Sequence, residues 1–132
     1  MRHITFAAAL TLAAVPSHAQ QAQIEGVISD QLDAFMADDF GRAFSYASPS
    51  IQGMFQTPEN FGRMVRNGYP MVYRPDEVEY LGVEDMGGIL RQRVLIRDAG
   101  GAFHTLEYDM IQGEAGWKIN GVRLVTAPQV GA

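Results

Sequence analysis

Beyond residue 20 the chain carries a single histidine, His104, and no cysteine occurs anywhere in it. Thiolate chemistry and disulfides are therefore excluded, and a zinc site built from histidine and cysteine lacks its usual complement of ligands. The acidic pairs Asp38-Asp39 and Glu84-Asp85 lack the alternating oxygen ligands and central glycine of a calcium loop. Neither a metal nor a cofactor is expected. His104 is then the one conventional general base at neutral pH. Ser45, Ser48 and Ser50 surround Pro49 without the Gly-x-Ser-x-Gly elbow of a nucleophile, which suits capping and turn formation instead. Gly87-Gly88 and Gly100-Gly101 sit between strand-like runs, a context that does not fit a phosphate loop opening a helix.

What remains with chemical capacity is a set of tyrosines, a glutamine and three arginines, and the elements around them decide what they can do. Ile24, Val27, Ile28, Leu32, Phe35 and Met36 recur at helical spacing and predict a first amphipathic helix over roughly 22–37. Asp38-Asp39 ends it, and one of the two caps a short second helix with Phe40, Ala43, Phe44 and Ala47 inward. Ser48-Pro49-Ser50 closes that helix. Thr57-Pro58-Glu59 starts a third, with Phe61, Met64 and Val65 inward, ending at Asn67-Gly68 on a left-handed glycine. The prolines of Tyr69–Pro75 predict an extended connector, with Tyr69, Tyr73 and Arg74 forming a pocket lip, a contact surface or a plain crossover from helix to sheet.

The period then changes to two. Strands are predicted over Glu77–Glu84, Ile89–Arg97, Phe103–Gln112 and Trp117–Val125, joined by short turns as an antiparallel meander. Helices followed by a sheet give an α+β fold, with the helices on one face. A three-residue loop at Ala99-Gly100-Gly101 sets Arg93 opposite Glu107 and Arg91 opposite Asp109, with Arg97 opposite Phe103. A two-residue loop would mix charged and apolar residues across one face, at far greater cost than any single pair returns. Extending the ladder outward places Glu79 by Arg93, Tyr80 by Gln92, Met110 by Ile119 and Tyr108 by Gly121.

On this register Tyr80, Gln92 and Tyr108 form a polar row on the helix-facing side, with His104 near the hairpin tip. These four residues are the ligand-pocket candidates, set against a reading in which the two tyrosines pack in the core with their hydroxyls on Gln92 or backbone; none has a carboxylate beside it, so no catalytic residue is assigned. The opposite face mixes the ion-pair ladder with apolar positions, including Leu81 and Val83. Leu95, Phe103, Val122 and Leu124 are its interface candidates for a homodimer.

Arg2 and His3, the apolar run Ile4–Val15 and Ser17-His18-Ala19 have the form of a cleavable export signal. Cleavage after Ala19 makes 1–19 the signal and 20–132 one domain, periplasmic or secreted and free of the membrane. Losing Arg2 leaves nine basic side chains against fifteen acidic ones, a balance that opposes nucleic acid and anionic membranes as partners.

Three helices and a long-stranded meander ending in Gly116-Trp-Lys-Ile-Asn-Gly-Val122 resemble the nuclear-transport-factor-2-like fold, the cone-shaped architecture of ketosteroid isomerase and SnoaL-like proteins. Ile28-Ser-Asp-Gln-Leu-Asp-Ala-Phe35, Phe44-Ser-Tyr-Ala-Ser-Pro-Ser-Ile-Gln-Gly53 and Met64-Val-Arg-Asn-Gly-Tyr-Pro-Met-Val72 are similar to domain of unknown function 4864, a family of small exported bacterial proteins. That resemblance implies fold and compartment, and no activity. The expected function is non-catalytic binding of a small apolar ligand or a protein partner. The alternatives are a cofactor-free isomerase, dehydratase or hydrolase using Tyr80, Tyr108 and His104, and a purely structural envelope protein.

Overall fold

The computed structural model describes residues 16–125. The apolar run expected to act as an export signal lies outside them. Helix α1 (His18–Met36) starts earlier than its apolar periodicity suggests, because Ser17 and Gln20 form a reciprocal capping box. Ile24, Ile28, Leu32 and Phe35 recur every three or four residues and are buried, so one stripe of α1 faces the core. The helix ends in a Schellman turn. The Asp38 amide donates to the Phe35 carbonyl (3.0 Å) and the Asp39 amide to that of Ala34 (2.8 Å), with Asp38 at φ 54°. That left-handed aspartate is held by two hydrogen bonds from Arg74 (3.0 and 3.1 Å) and one from the Tyr73 hydroxyl. These hydrogen bonds, with the charge of Arg74, keep the Asp38 carboxyl below the usual carboxylate range.

Asp39 caps α2 (Phe40–Ser45) by accepting from the Arg42 amide, as expected of this acidic pair. Ser48-Pro49 then does more than end α2. Ser48 caps a further helix, α3 (Pro49–Phe55), with proline at its first turn. Thr57 caps α4 (Pro58–Gly68) in the same way. Gly68 is not left-handed; it closes the last turn, and the C-cap is Tyr69 at φ −134°. Residues 69–75 are not simply extended either. Pro70 opens a one-turn helix, α5 (Pro70–Tyr73), since proline is tolerated where an N–H would go unused.

The sheet is a four-stranded antiparallel meander of β1 (Pro75–Asp85), β2 (Leu90–Asp98), β3 (Phe103–Gly113) and β4 (Gly116–Val125) in sequential order. The central register is as expected: Arg91 faces Asp109, Arg93 faces Glu107, Val94 faces Leu106 and Arg97 faces Phe103. Gly101 at φ 92° makes the three-residue loop.

Both outer registers depart from expectation. Gly87 and Gly88 both have positive φ and form a two-residue turn closed by Met86 and Ile89, and a bulge follows between Tyr80 and Val83. Tyr80 therefore faces Val94 and Glu79 faces Leu95, while Val83 meets Gln92. On β4, Met110 faces Ile119 as expected, but a bulge at Asn120 sets Tyr108 opposite Val122 and Asp109 opposite Gly121.

The ion-pair ladder occupies the face away from the helices. Arg91 meets Asp109 at 2.8 Å, and Glu107 takes Arg93 at 3.4 Å and Arg123 at 2.9 Å. Burial pulls the Glu107 carboxyl upward, yet hydrogen bonds from Arg123 and Arg93 and the charges of Arg123 and Arg91 prevail and hold it below its ordinary range. The bulges change which apolar residues share this face. Val122 now pairs with Tyr108, and Leu124 with Leu106, on the helix-facing side. Of the four interface candidates, Leu95 and Phe103 stay on the outer face.

Candidate functional site

Of the four expected pocket residues, Tyr108 and Gln92 come together, while Tyr80 and His104 stand farther along the sheet. Tyr108 and Gln92 are cross-strand neighbours, fully buried in the core. Burial pushes the Tyr108 hydroxyl well above its ordinary pKa. The Gln92 amide nitrogen is spent on the carbonyls of Leu81 (2.9 Å) and Arg93 (2.7 Å), where it holds the β1 bulge. Tyr80 lies one pair farther along the sheet, its hydroxyl bonded to Ser29 and to the Glu25 carbonyl, which ties β1 to α1. Burial raises its pKa too, partly offset by the bond to Ser29.

His104 faces Ile96 near the hairpin tip, and it has the orienting acid that was not anticipated. Its Nε2 lies 2.8 Å from Asp98 Oδ2. The other Asp98 oxygen accepts from the amides of Gly100 (3.0 Å) and Ala102 (2.9 Å). The His104 bond and these amide bonds keep the Asp98 carboxyl below its usual range. The pair is a clasp on the β2–β3 loop, away from any cavity lined by the core. Ser48 behaves as a capping residue: fully buried, it accepts from the Ile51 amide and donates to Asn120 Oδ1 at 2.8 Å. Among the described residues no cluster of three or more histidine and carboxylate side chains is placed to hold a metal ion.

A predominantly apolar cavity lies between the helices and β4, with a volume of about 220 Å³, while Tyr80 lines a separate, more open one with Ser29 and Asp33. To the apolar cavity α1 contributes Gln31 and Phe35, α3 contributes Ile51, Met54 and Phe55, and α4 contributes Phe61, Met64 and Val65. Tyr69 and Val72 close one side, and Ala47, Ile119, Gly121 and Val122 form the floor. The β4 bulge makes that floor. Ser48 bonds Asn120, and the Ser48 amide donates to the Ile119 carbonyl at 2.8 Å, which pins the segment after α2 along β4. The resulting shift turns Val122 inward. Met54, 69 % exposed, stands at the rim.

Sequence reasoning missed this site because it missed α3. The signal was present: Ser48-Pro49 is the same start as Thr57-Pro58, and Ile51, Met54 and Phe55 follow at helical spacing. Tyr69, one of the connector residues named above, is among the lining residues.

Chemically the cavity is quiet. Its lining side chains include no carboxylate, no histidine and no cation. Gln31, only 3 % exposed, donates from its amide nitrogen to the Ala43 carbonyl at 3.1 Å. The Tyr69 hydroxyl donates to the Val122 carbonyl at 3.2 Å.

The family model described as a domain of unknown function (DUF4864) matches residues 17–132. The chain belongs to that family. No curated protein matches the chain. Among solved structures, the 1.8 Å structure of Aln2 from a Streptomyces species is similar, with a TM-score of 0.56 and 13 % identity. The match covers 84 % of this chain and 93 % of Aln2. At that identity the likeness speaks for the fold alone, and this DUF4864 chain has the nuclear-transport-factor-2-like α+β fold.

Proposed function

We propose that this protein is an exported, non-catalytic binding protein that takes a small apolar molecule into the cavity between α1, α3, α4 and β4. The observation that carries this reading is the lining: a void of about 220 Å³ walled by hydrocarbon, aromatic and thioether side chains, with Gln31 and Tyr69 its polar members. An apolar cavity of about 150 Å³ stays dry and accepts benzene, so one aromatic ring or a short branched hydrocarbon matches the space. The lining offers no general base, which favours binding over the isomerase, dehydratase or hydrolase reading.

Toluene is a suitable first probe. Saturable binding should raise the melting temperature in proportion to the logarithm of its concentration. Val122→Phe, which extends a lining side chain toward the cavity, should weaken toluene at least about tenfold by occupying the space it needs. No saturable binding by the unmodified protein would reject the reading.

Self-association is proposed through the outer sheet face. Phe103 is 62 % exposed there, beside a ladder whose arginines are already matched by acids, so a second copy meets little net repulsion. Native mass spectrometry of protein purified from the periplasm should give a dimer of chains beginning at Gln20. Phe103→Glu should yield monomers in light scattering; a wild-type monomer at micromolar concentration would end the dimer proposal.

A further inference from the structure

We infer that the cavity selects an uncharged ligand bearing a hydrogen-bond donor, an alcohol or a phenol, over both a plain hydrocarbon and a carboxylate. The inference rests on the binding reading above and adds the chemical class of the ligand. It follows from where the two polar lining side chains spend their protons. The Ala43 carbonyl can only accept, so the nitrogen of the Gln31 amide must face it, and the 3.1 Å bond fixes the amide in that orientation. The Gln31 oxygen, on a side chain buried to all but 3 %, receives no donor from the described residues. Tyr69 is in the complementary position. Its one proton goes to the Val122 carbonyl at 3.2 Å, which leaves the lone pairs of its oxygen as acceptors.

The lining side chains thus offer acceptors on both residues, with the second N–H of the Gln31 amide as the one donor not already spent, and a hydroxyl can answer either kind. A hydrocarbon seated against the Gln31 oxygen takes it out of water without giving it a donor, and burying an unpaired acceptor is costly. A carboxylate brings further acceptors and a charge, with no lysine or arginine in the lining to meet it. A hydroxyl supplies the missing proton. Gln31 is the residue that sets this preference, and Tyr69 contributes at the lip.

Three probes of one size decide it: toluene, p-cresol and benzoate, titrated against the full mature chain at neutral pH. We expect p-cresol to bind about tenfold tighter than toluene, the return from pairing an acceptor that the bound ligand itself shuts off from water, with benzoate weakest. Gln31→Leu should keep toluene binding and bring the two neutral probes to within about twofold of each other. Tyr69→Phe should narrow the gap by less. If Gln31→Leu fails to fold, the wild-type side-chain amide resonance of Gln31 serves instead; it should move with p-cresol and not with toluene. Equal affinity for toluene and p-cresol, or benzoate binding as tightly as either, overturns the preference while leaving the cavity reading intact. Failure of every probe overturns both.

Discussion

Phe35→Ala should cost about 3–5 kcal/mol, the usual range for deleting a fully buried aromatic side chain. Phe35 has no exposed surface, and its ring lies 5.8 Å from that of Phe61 and 6.4 Å from that of Phe40. It joins α1 to α2 and α4 and forms part of the cavity wall. Its carbonyl also accepts from Arg74 Nη1 at 2.7 Å, a bond the substitution leaves in place, so the loss reads the ring alone. Small domains hold only about 5–15 kcal/mol in reserve, so the variant should be close to unfolding at room temperature. Urea denaturation measures it: the midpoint should fall with little change in slope. A loss below about 1 kcal/mol would mean that the ring cluster is not the core it is taken to be.

Gly62→Ala should destabilise by about 1–3 kcal/mol through overpacking, against the sign that helix propensity alone implies. Alanine inside a helix is ordinarily better than glycine by about 1 kcal/mol. Gly62 lies within α4 and is buried, however, and a methyl group there would stand 2.6 Å from both Cγ and Cδ1 of Phe40. Those atoms are near the base of the ring, so rotation of a flexible tip cannot relieve the contact. The helix pair would have to part, and the ring stack of Phe40 on Tyr73, at 6.3 Å, would shift with it. Pairing the change with Phe40→Leu should recover part of the loss, since the cause is a local excess of volume. A more stable Gly62→Ala single variant, judged by thermal melting, would show that α2 and α4 are not in this close contact.

How much of this molecule was legible in its residues depends on how local each determinant is. The β2–β3 register could be read because everything that sets it lies within twenty residues: charges that must pair, apolar residues that must share a face, and a glycine at the left-handed turn position. The two outer registers could not. Gly87 and Gly88 allow a two-residue turn, but the bulge after Tyr80 is held by Gln92 reaching back to the Leu81 carbonyl. The Asn120 bulge depends on Ser48, seventy-two residues away in the chain. Helix α3 was legible from its Ser-Pro start. The cavity was not, since a void records how several helices come to rest on one strand and leaves no period in any of them. The polar row of Tyr80, Gln92 and Tyr108 looked like a site because polar residues stood where apolar ones belong. Gln92 and Tyr80 instead brace the β1 bulge and the α1 contact.

Among the described residues β1 is an outer strand with a neighbour on one side only, and its composition bears on how copies of the protein can meet. An unpaired strand edge invites another chain to extend the sheet, and proteins often guard such edges with proline and charge. Here the strand opens with Pro75 and carries Asp76, Glu77, Glu79, Glu84 and Asp85. Two such margins brought side by side would bring together acids with few cations between them. At the other margin, the Tyr46–Ser48 segment already occupies Ile119 on both its amide and its carbonyl. Growth into a continuous ribbon is thereby discouraged from both directions, so the molecule can crowd against its neighbours at high concentration without templating them.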